Sequence, residues 1–158
     1  MPFPLSTQSI DALAEVISGG GANDPKPPIG IYRSGPKIEK FMRTCNVEFC
    51  VNGSRVPSLV QCLTAINNEP EADQMLPRIT EAAADPRDFI HEPERHKAVV
   101  DYLNKALCFD GFELKQQNRR MRLVDAGKGA PVLSELAGLS AVINFDTVSR
   151  DLNRALES

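Results

Sequence analysis

Residues 103–125, LNKALCFDGFELKQQNRRMRLVD, contain the end of a helix followed directly by two strand-like runs. Apolar and polar side chains alternate in both runs, and a polar stretch separates them. Such alternation is typical of half-buried strands that pair as an antiparallel hairpin. The pattern predicts a hairpin with its loop at Gln116–Arg119. The inward pairs in this register are Phe112 with Leu123 and Leu114 with Met121.

The outward side of this hairpin is basic. In the same register Glu113 lies opposite Arg122 and Lys115 lies opposite Arg120, while Arg119 belongs to the loop. Glu113 offsets one arginine, but like charges directly opposite are mildly destabilising unless an anion lies between them. The solvent side of a strand is polar in any case. Lys115, Arg119 and Arg120 are therefore either a solvated face or an anion-binding tip.

Helical periodicity precedes the hairpin. Apolar residues recur at i, i+3, i+4 and i+7, and Ser or Pro residues stand where helices begin. These patterns predict a helix from Ser6 or Thr7 onward and helices over Pro36–Thr44, Ser54–Asn67, Pro70–Ala84 and Pro93–Leu107. Within the fourth, Pro77 either kinks the helix or marks its true start. Alternation at 47–51 predicts one further short strand.

The other segments are loops and a C-terminal extension. Three glycines and three prolines in 18–28 predict a flexible loop, and DAGKGAP at 125–131 predicts a linker. The apolar run PVLSELAGLSAVI predicts a short helix. The apolar spacing in 144–158 predicts a last helix, and no Gly or Pro follows it to mark its C-terminal end. We expect 1–143 to form one module and the last helix to lead into a C-terminal domain.

Together these elements predict a mainly helical α+β domain, with five to seven helices and one two-stranded antiparallel hairpin. A helix followed by a basic hairpin also fits a winged helix-turn-helix, whose wing contacts phosphates. The helix before the hairpin offers only Arg95, Lys97 and Lys105 as basic residues, which is a weak recognition helix. Nucleic-acid contact and contact with a partner domain both stay open.

Composition limits the partners. The chain has 158 residues, a formal net charge of −3 and 42% hydrophobic residues, which is enough for one domain core. An acidic chain does not coat nucleic acid over its whole surface, so any such binding is local. The four cysteines form no CxxC pair, and no signal peptide or membrane-spanning run is present in the sequence. We expect a cytoplasmic protein without a membrane partner.

A second cationic group lies in YRSGPKIEK. Ser34 or Gly35 precedes a predicted helix whose first N–H groups have no partner within the helix. Arg33, Lys37 and Lys40 stand nearby, and such an arrangement can bind an anion. A capped helix start with solvated lysines is the ordinary alternative. Arg33 and Lys37 join the hairpin residues as candidate anion-binding residues.

Motifs for chemistry are scarce. SGGGAN lacks the Gly-Lys-Ser/Thr of a phosphate loop, the two histidines are five residues apart, and no HExxH or GxSxG motif occurs. We therefore expect no catalytic residue, no metal and no cofactor. The alternative from a different class is a metal-independent nuclease-type toxin. By charge alone, its nearest candidates are Asp110, Glu113, Arg120 and Arg122.

Four stretches carry a family resemblance: LSTQSIDALAEVISGG, IYRSGPKIEKFM, NGSRVPSLVQCL and VVDYLNKALCFDGFELKQQNRRMRLV. In this order they resemble the N-terminal module that precedes abortive-infection C-terminal domains in bacterial anti-phage proteins of the AbiJ type. INFDTVSRDLNRALES resembles the lead-in to that domain. The resemblance implies a sensing or docking module in phage defence, with a C-terminal effector domain as its partner. It transfers no active-site residue.

Overall fold

The computed structural model describes residues 5–22, 24, 26–126 and 132–133. Within them, five α-helices and one two-stranded antiparallel hairpin confirm the mainly helical α+β class. The elements are α1 (Thr7–Ser18), α2 (Gly35–Thr44), α3 (Arg55–Asn67), α4 (Ala72–Ala83), α5 (Pro93–Leu107), β1 (Phe112–Gln117) and β2 (Arg120–Asp125). Short 3-10 helices at Pro86–Phe89 and Cys108–Asp110 flank α5. None of the helices described is long and apolar enough to cross a membrane. The winged-helix arrangement stays a prediction.

Helix α1 is the central element of the core. It contacts α3, α4 and α5, and Leu13 and Ile17 are fully buried between them. Leu63, Leu76 and Leu103 belong to the same apolar cluster. Burial of such side chains contributes about 1.5–3 kcal/mol each relative to exposure, so this cluster holds the helices together.

The start of α1 is tied to the chain just before the hairpin. Ser6 caps the helix by accepting a hydrogen bond from the Ser9 N–H at 3.2 Å. The Asp110 carboxylate accepts hydrogen bonds from the Ser6 N–H at 2.9 Å and from the Ser9 hydroxyl at 2.6 Å. A carboxylate at a helix N-terminus also interacts favourably with the helix dipole. Asp110 therefore connects α1 to the hairpin.

Arginine side chains fasten the described parts of the Gly/Pro loop to the helices. Arg55 donates hydrogen bonds to the carbonyls of Ser18 and Gly20, at 3.0 and 2.7 Å. Arg95 donates to the carbonyls of Pro27 and, at 3.0 Å, Gly30. Both ends of the predicted 18–28 loop are thus anchored, and the flexibility of the loop between them stays a prediction.

Gly30 allows this loop to pack directly against α1. Its φ is +79°, and a Cβ at this position would lie 2.7 Å from the Val16 Cα. Only glycine adopts that conformation at low cost and leaves room for the neighbouring backbone. The Ile31 N–H then donates to the Val16 carbonyl at 3.3 Å.

Two predictions for the middle of the chain have different outcomes. Helix α4 begins at Ala72 and continues through Pro77, which is buried inside it and does not mark its start, while the kink that was the other possibility stays a prediction. The strand predicted at 47–51 does not form. Side chains satisfy this backbone in place of a partner strand, because the Val51 N–H donates to Glu39 at 2.9 Å and the Asn52 N–H donates to Ser58 at 3.1 Å.

The hairpin forms with a shorter turn than predicted. Asn118 and Arg119 both have positive φ, 54° and 68°, as in a two-residue type I′ turn. The register is therefore shifted by two residues, which leaves each side chain on its predicted face. The pairs are Phe112 with Asp125, Glu113 with Val124, Leu114 with Leu123, Lys115 with Arg122, Gln116 with Met121 and Gln117 with Arg120. All four predicted pairs are therefore wrong: Phe112 with Leu123, Leu114 with Met121, Glu113 with Arg122 and Lys115 with Arg120.

Both outer edges of the hairpin are covered at its central pair. The Asn104 amide exchanges two hydrogen bonds with the Leu114 backbone, at 2.7 and 3.2 Å. On the other edge, the Leu123 N–H donates to Glu81 at 2.9 Å, and the Val132 N–H donates to the Leu123 carbonyl at 2.9 Å. Covering the edge groups of a two-stranded sheet protects it from pairing with other chains.

Arg122 is buried, contrary to the prediction that it faces solvent. Its side chain is 8% exposed and lies 3.7 Å from the Glu81 carboxylate. It also donates a hydrogen bond to the Leu133 carbonyl. Helix α4 and residues 132–133 therefore cover the face of β2 that was predicted to be exposed to solvent. The remaining residues of the predicted linker and of both C-terminal helices lie outside the described residues.

Candidate anion-binding site

The hairpin tip, α4 and the Asp85–Arg87 segment enclose a cleft of about 390 Å³, called the tip cleft below. Its polar lining includes Arg78 of α4, Arg87, Arg119 and Arg120, together with Glu81 and Asp85. The tip residues Arg119 and Arg120 are exposed, and Arg78 is half-buried. Two of the three cations predicted in the hairpin therefore lie in a shared concave site.

The turn at the tip is strained at Arg119. A type I′ turn has left-handed conformations at both central residues, and glycine is strongly favoured at the second. Arg119 takes this position with φ 68°. A non-glycine residue in the left-handed region costs about 1–2 kcal/mol. Strain of this kind clusters at binding sites, where a side chain is needed at a particular place.

Glu81 connects the tip cleft to the interior. Its carboxylate accepts the Leu123 N–H at 2.9 Å and lies 3.7 Å from the Arg122 guanidinium. Burial raises the pKa of Glu81, while these two groups act in the opposite direction. The negative charge of Glu81 is thus used mainly within the fold, and Arg120 of the cleft interacts with it only through charge, without a hydrogen bond or close ion pair.

A second cleft of about 530 Å³ adjoins the first and is called the α2 cleft below. It is lined by Lys37 and Lys40 of α2, by Tyr32 and Phe41, and by Asp88. The two clefts share Ala82, Asp85 and Arg87. The YRSGPKIEK cations and the hairpin cations, which are far apart in the sequence, therefore border one continuous region of the surface.

Arg33 is committed to the fold. It donates to the Ile17 carbonyl at 2.9 Å, lies 3.6 Å from the Asp88 carboxylate, and covers the Phe41 ring at 4.6 Å. Burial lowers the pKa of Arg33, and Asp88 opposes this change. Its side chain is 11% exposed. Of the two candidates in this motif, Lys37 is exposed in the cleft and Arg33 mainly stabilises it.

The shared ridge between the clefts carries an ion pair. Arg87 donates hydrogen bonds to both oxygens of Asp85, at 2.7 Å through Nη2 and 3.1 Å through Nε. Hydrogen bonds from Arg87 lower the pKa of the Asp85 carboxyl. The Arg87 side chain is 84% exposed, so it presents a positioned guanidinium to solvent on the border of both clefts.

Five cations in these clefts have no carboxylate partner. The three carboxylates, Glu81, Asp85 and Asp88, pair with Arg122, Arg87 and Arg33 respectively. In the part of the chain that the structure describes, no side-chain hydrogen bond and no ion pair within 4 Å involves the other cations that line the clefts, which are Lys37, Lys40, Arg78, Arg119 and Arg120. A concentration of unpaired positive charge in a concave surface attracts anions.

Lys115 does not belong to this region. It is exposed on β1 opposite Arg122 and lines neither cleft. Conversely, sequence reasoning missed Arg78 and Arg87. Arg78 follows Pro77 within a helix and Arg87 follows a Pro after the end of α4, so neither has a local signal of binding.

The residues of the nuclease alternative do not form one site. Asp110 is held by Ser6 and Ser9 at the start of α1, and Arg122 is buried. Glu113 and Arg120 are separated by four steps along the hairpin, which is about 13 Å at 3.3 Å per residue. The four charged residues of the nuclease alternative therefore lie in different places, along the hairpin and just before it.

Histidine does not contribute to either cleft. His96 donates a hydrogen bond to the Ala84 carbonyl at 2.8 Å and lies half-buried beside the Phe89 ring. Within residues 5–22, 24, 26–126 and 132–133, no group of three His, Cys, Asp or Glu side chains is arranged to hold a metal ion.

Comparison of the chain with protein-family models, curated proteins and solved structures gives no match. The resemblance to the AbiJ-type module stays a prediction.

Proposed function

We propose that this chain is a non-catalytic module that binds nucleic acid through its phosphate groups. The observation that carries the proposal is the set of five unpaired cations that line two adjoining clefts in a chain of net charge −3. Positive charge that is concentrated in one region of an acidic protein supports local binding of a polyanion.

The clefts offer charge but few surfaces for base recognition. Arg33 covers the Phe41 ring at 4.6 Å, and Arg55 covers the Tyr32 ring at 4.5 Å. Single-stranded bases are usually held by stacking on exposed aromatic faces. Because guanidinium groups already occupy these two faces, binding depends on phosphate contacts and has little dependence on base sequence.

The carboxylates support binding without catalysis. A general base needs an oxygen or nitrogen that is free to take a proton from a reacting group. Glu81 accepts the Leu123 N–H, both oxygens of Asp85 accept hydrogen bonds from Arg87, and Asp88 pairs with Arg33. Each carboxylate of the clefts already has a structural partner.

We propose further that this binding serves phage defence, which the resemblance to the AbiJ-type module supports. In that setting the module senses or docks a nucleic acid in the bacterial cytoplasm, and a C-terminal effector domain or a partner protein acts on the signal. Arg122 fits such a role, because it holds Glu81 of the tip cleft and also the Leu133 carbonyl, on the chain segment that follows the hairpin.

Fluorescence anisotropy with a labelled single-stranded oligonucleotide tests the proposal. The double variant Arg119→Gln/Arg120→Gln should weaken binding at least about tenfold, because each lost phosphate contact contributes on the order of 1 kcal/mol. The control Lys105→Gln/Lys115→Gln removes the same charge from exposed positions outside both clefts. Equal weakening by both variants, or no binding by the unaltered chain, contradicts the proposal.

A cleavage assay on the same oligonucleotide tests the nuclease alternative. We expect the oligonucleotide to stay intact. Cleavage that disappears in Arg120→Ala, with an unchanged circular dichroism spectrum, would favour the nuclease and overturn the assignment as a binding module.

A further inference from the structure

The two clefts differ in the kind of cation they present. The unpaired cations of the tip cleft are all arginines, Arg78, Arg119 and Arg120, whereas those of the α2 cleft are lysines. Arginine offers a planar fork that binds two oxygens of one phosphate at once, whereas lysine acts as a point charge. The tip cleft is therefore suited to hold one phosphate group by several oxygens.

The charge of the tip cleft exceeds what an internal phosphate needs. A phosphodiester within a strand carries one negative charge, but a terminal phosphomonoester carries about −1.5 to −2 at pH 7 and has three oxygens that accept hydrogen bonds. Three unpaired guanidinium groups border the tip cleft, and Glu81 is already used by Leu123 and Arg122. A terminal phosphate matches this set better than a diester.

The conformation of the turn supports the same ligand. Arg119 occupies the position where a type I′ turn favours glycine, with φ 68°. The preceding Asn118 is a residue that tolerates positive φ. Despite this strain, the Arg119 side chain lines the tip cleft together with the adjacent Arg120, as residues in strained conformations do at binding sites.

We infer that the tip cleft is a site for the terminal phosphate of a nucleic-acid strand, and that the phosphates that follow pass over Arg87 to Lys37 and Lys40 in the α2 cleft. This inference rests on the proposed function. The shared lining residues Ala82, Asp85 and Arg87 provide the path, because they border both clefts. Arginines then bind the terminal phosphate of the strand, and lysines bind the phosphates that follow it.

Matched oligonucleotides test this inference directly. The probes are single strands of one sequence with a 5′-phosphate, with a 3′-phosphate, or with hydroxyl groups at both ends. A hydroxyl-ended strand one nucleotide longer has as many phosphates as the phosphorylated strands and controls for the number of phosphate groups. At least one phosphorylated strand should bind about tenfold more tightly than this longer control, the ratio expected for one added charge-assisted contact.

The variant Arg119→Gly removes the guanidinium from a position where glycine is conformationally favoured, so loss of folding does not complicate the result. It should reduce the preference for a terminal phosphate to about threefold or less, as expected when a charge-assisted contact is lost. The control Lys37→Gln should weaken all the strands alike and keep the ratio.

The outcomes separate the two proposals. If every strand binds with the same affinity and Arg119→Gln/Arg120→Gln still weakens binding, the terminal-phosphate site is wrong and the proposed function stands. If no strand binds, both are wrong. A phosphoserine peptide that competes as well as the phosphorylated strand also overturns the inference, because the site then recognises a phosphoprotein.

Discussion

The salt dependence of binding gives the most quantitative test of the cationic clefts. Each phosphate that a protein neutralises on a single strand releases about 0.7 of a condensed counterion, so the slope of log K against log salt counts the contacts. The clefts contain five unpaired cations, Lys37, Lys40, Arg78, Arg119 and Arg120. If each of the five contacts a separate phosphate of a strand with hydroxyl groups at both ends, the slope should be about −3.5.

Such a slope corresponds to a large change over accessible conditions. Raising the salt concentration from about 50 to about 200 mM is a fourfold change, which lowers the association constant by about 130-fold at this slope. Removing both arginines of the tip in Arg119→Gln/Arg120→Gln should reduce the slope by about 1.4, to roughly −2.1. The exposed-surface variant Lys105→Gln/Lys115→Gln should leave the slope at its original value.

Anisotropy titrations at five or six salt concentrations supply these slopes for all three proteins. A slope shallower than about −1 would mean that at most one or two phosphates are contacted, which refutes binding along both clefts. A steep slope that the control variant reduces as much as the tip variant would refute the location, because the charge would then act through the protein as a whole.

Three further changes test the structural reasoning by urea denaturation. Arg119→Gly should stabilise the fold by about 0.5–1 kcal/mol, because the left-handed strain it relieves exceeds the entropic cost of glycine; a loss of stability would contradict the strained turn. Glu81→Ala should destabilise it by about 2–4 kcal/mol, because it leaves the Leu123 N–H and the buried Arg122 guanidinium without their carboxylate, and Glu81→Gln should cost less since it keeps an acceptor. Gly30→Ala should cost about 2–4 kcal/mol, because its Cβ would overlap the α1 backbone, whereas Gly53→Ala, also at positive φ but in open space, should cost less.

Local sequence patterns were sufficient to predict the five helices that the described part of the chain forms. Positions such as Leu13 and Ile17 recur at helical spacing, and Ser6 caps α1 as its side chain allows. The strand predicted at 47–51 failed because alternation alone does not supply a partner, and Glu39 and Ser58 satisfy backbone groups there. Periodicity therefore identifies an element when its hydrogen bonds are internal, as in a helix, and is weaker when they depend on another segment.

In the hairpin, too, local sequence patterns did not predict the contacts of single residues. A two-residue turn usually contains Asn-Gly, and Asn118-Arg119 was not recognised because the glycine is absent. The outward place assigned to Arg122 followed from alternation along β2. It failed because Glu81 of α4, 41 residues earlier in the chain, reaches the same strand edge. The convergence of Arg78 and Arg87 with the tip likewise depends on packing that no local pattern encodes.

What an arginine does in this fold depends on the acceptors around its guanidinium. Arg55 and Arg95 donate to loop carbonyls, and Arg122 pairs with a buried carboxylate, so these side chains stabilise the structure. Arg119 and Arg120 extend from the turn into a cleft whose carboxylates already have partners. Because a guanidinium carries five donors and stays charged at neutral pH, an acceptor from outside the fold satisfies the tip arginines best. The proposed anionic ligand is therefore expected at the tip, where the internal acceptors end, and not wherever the sequence is most basic.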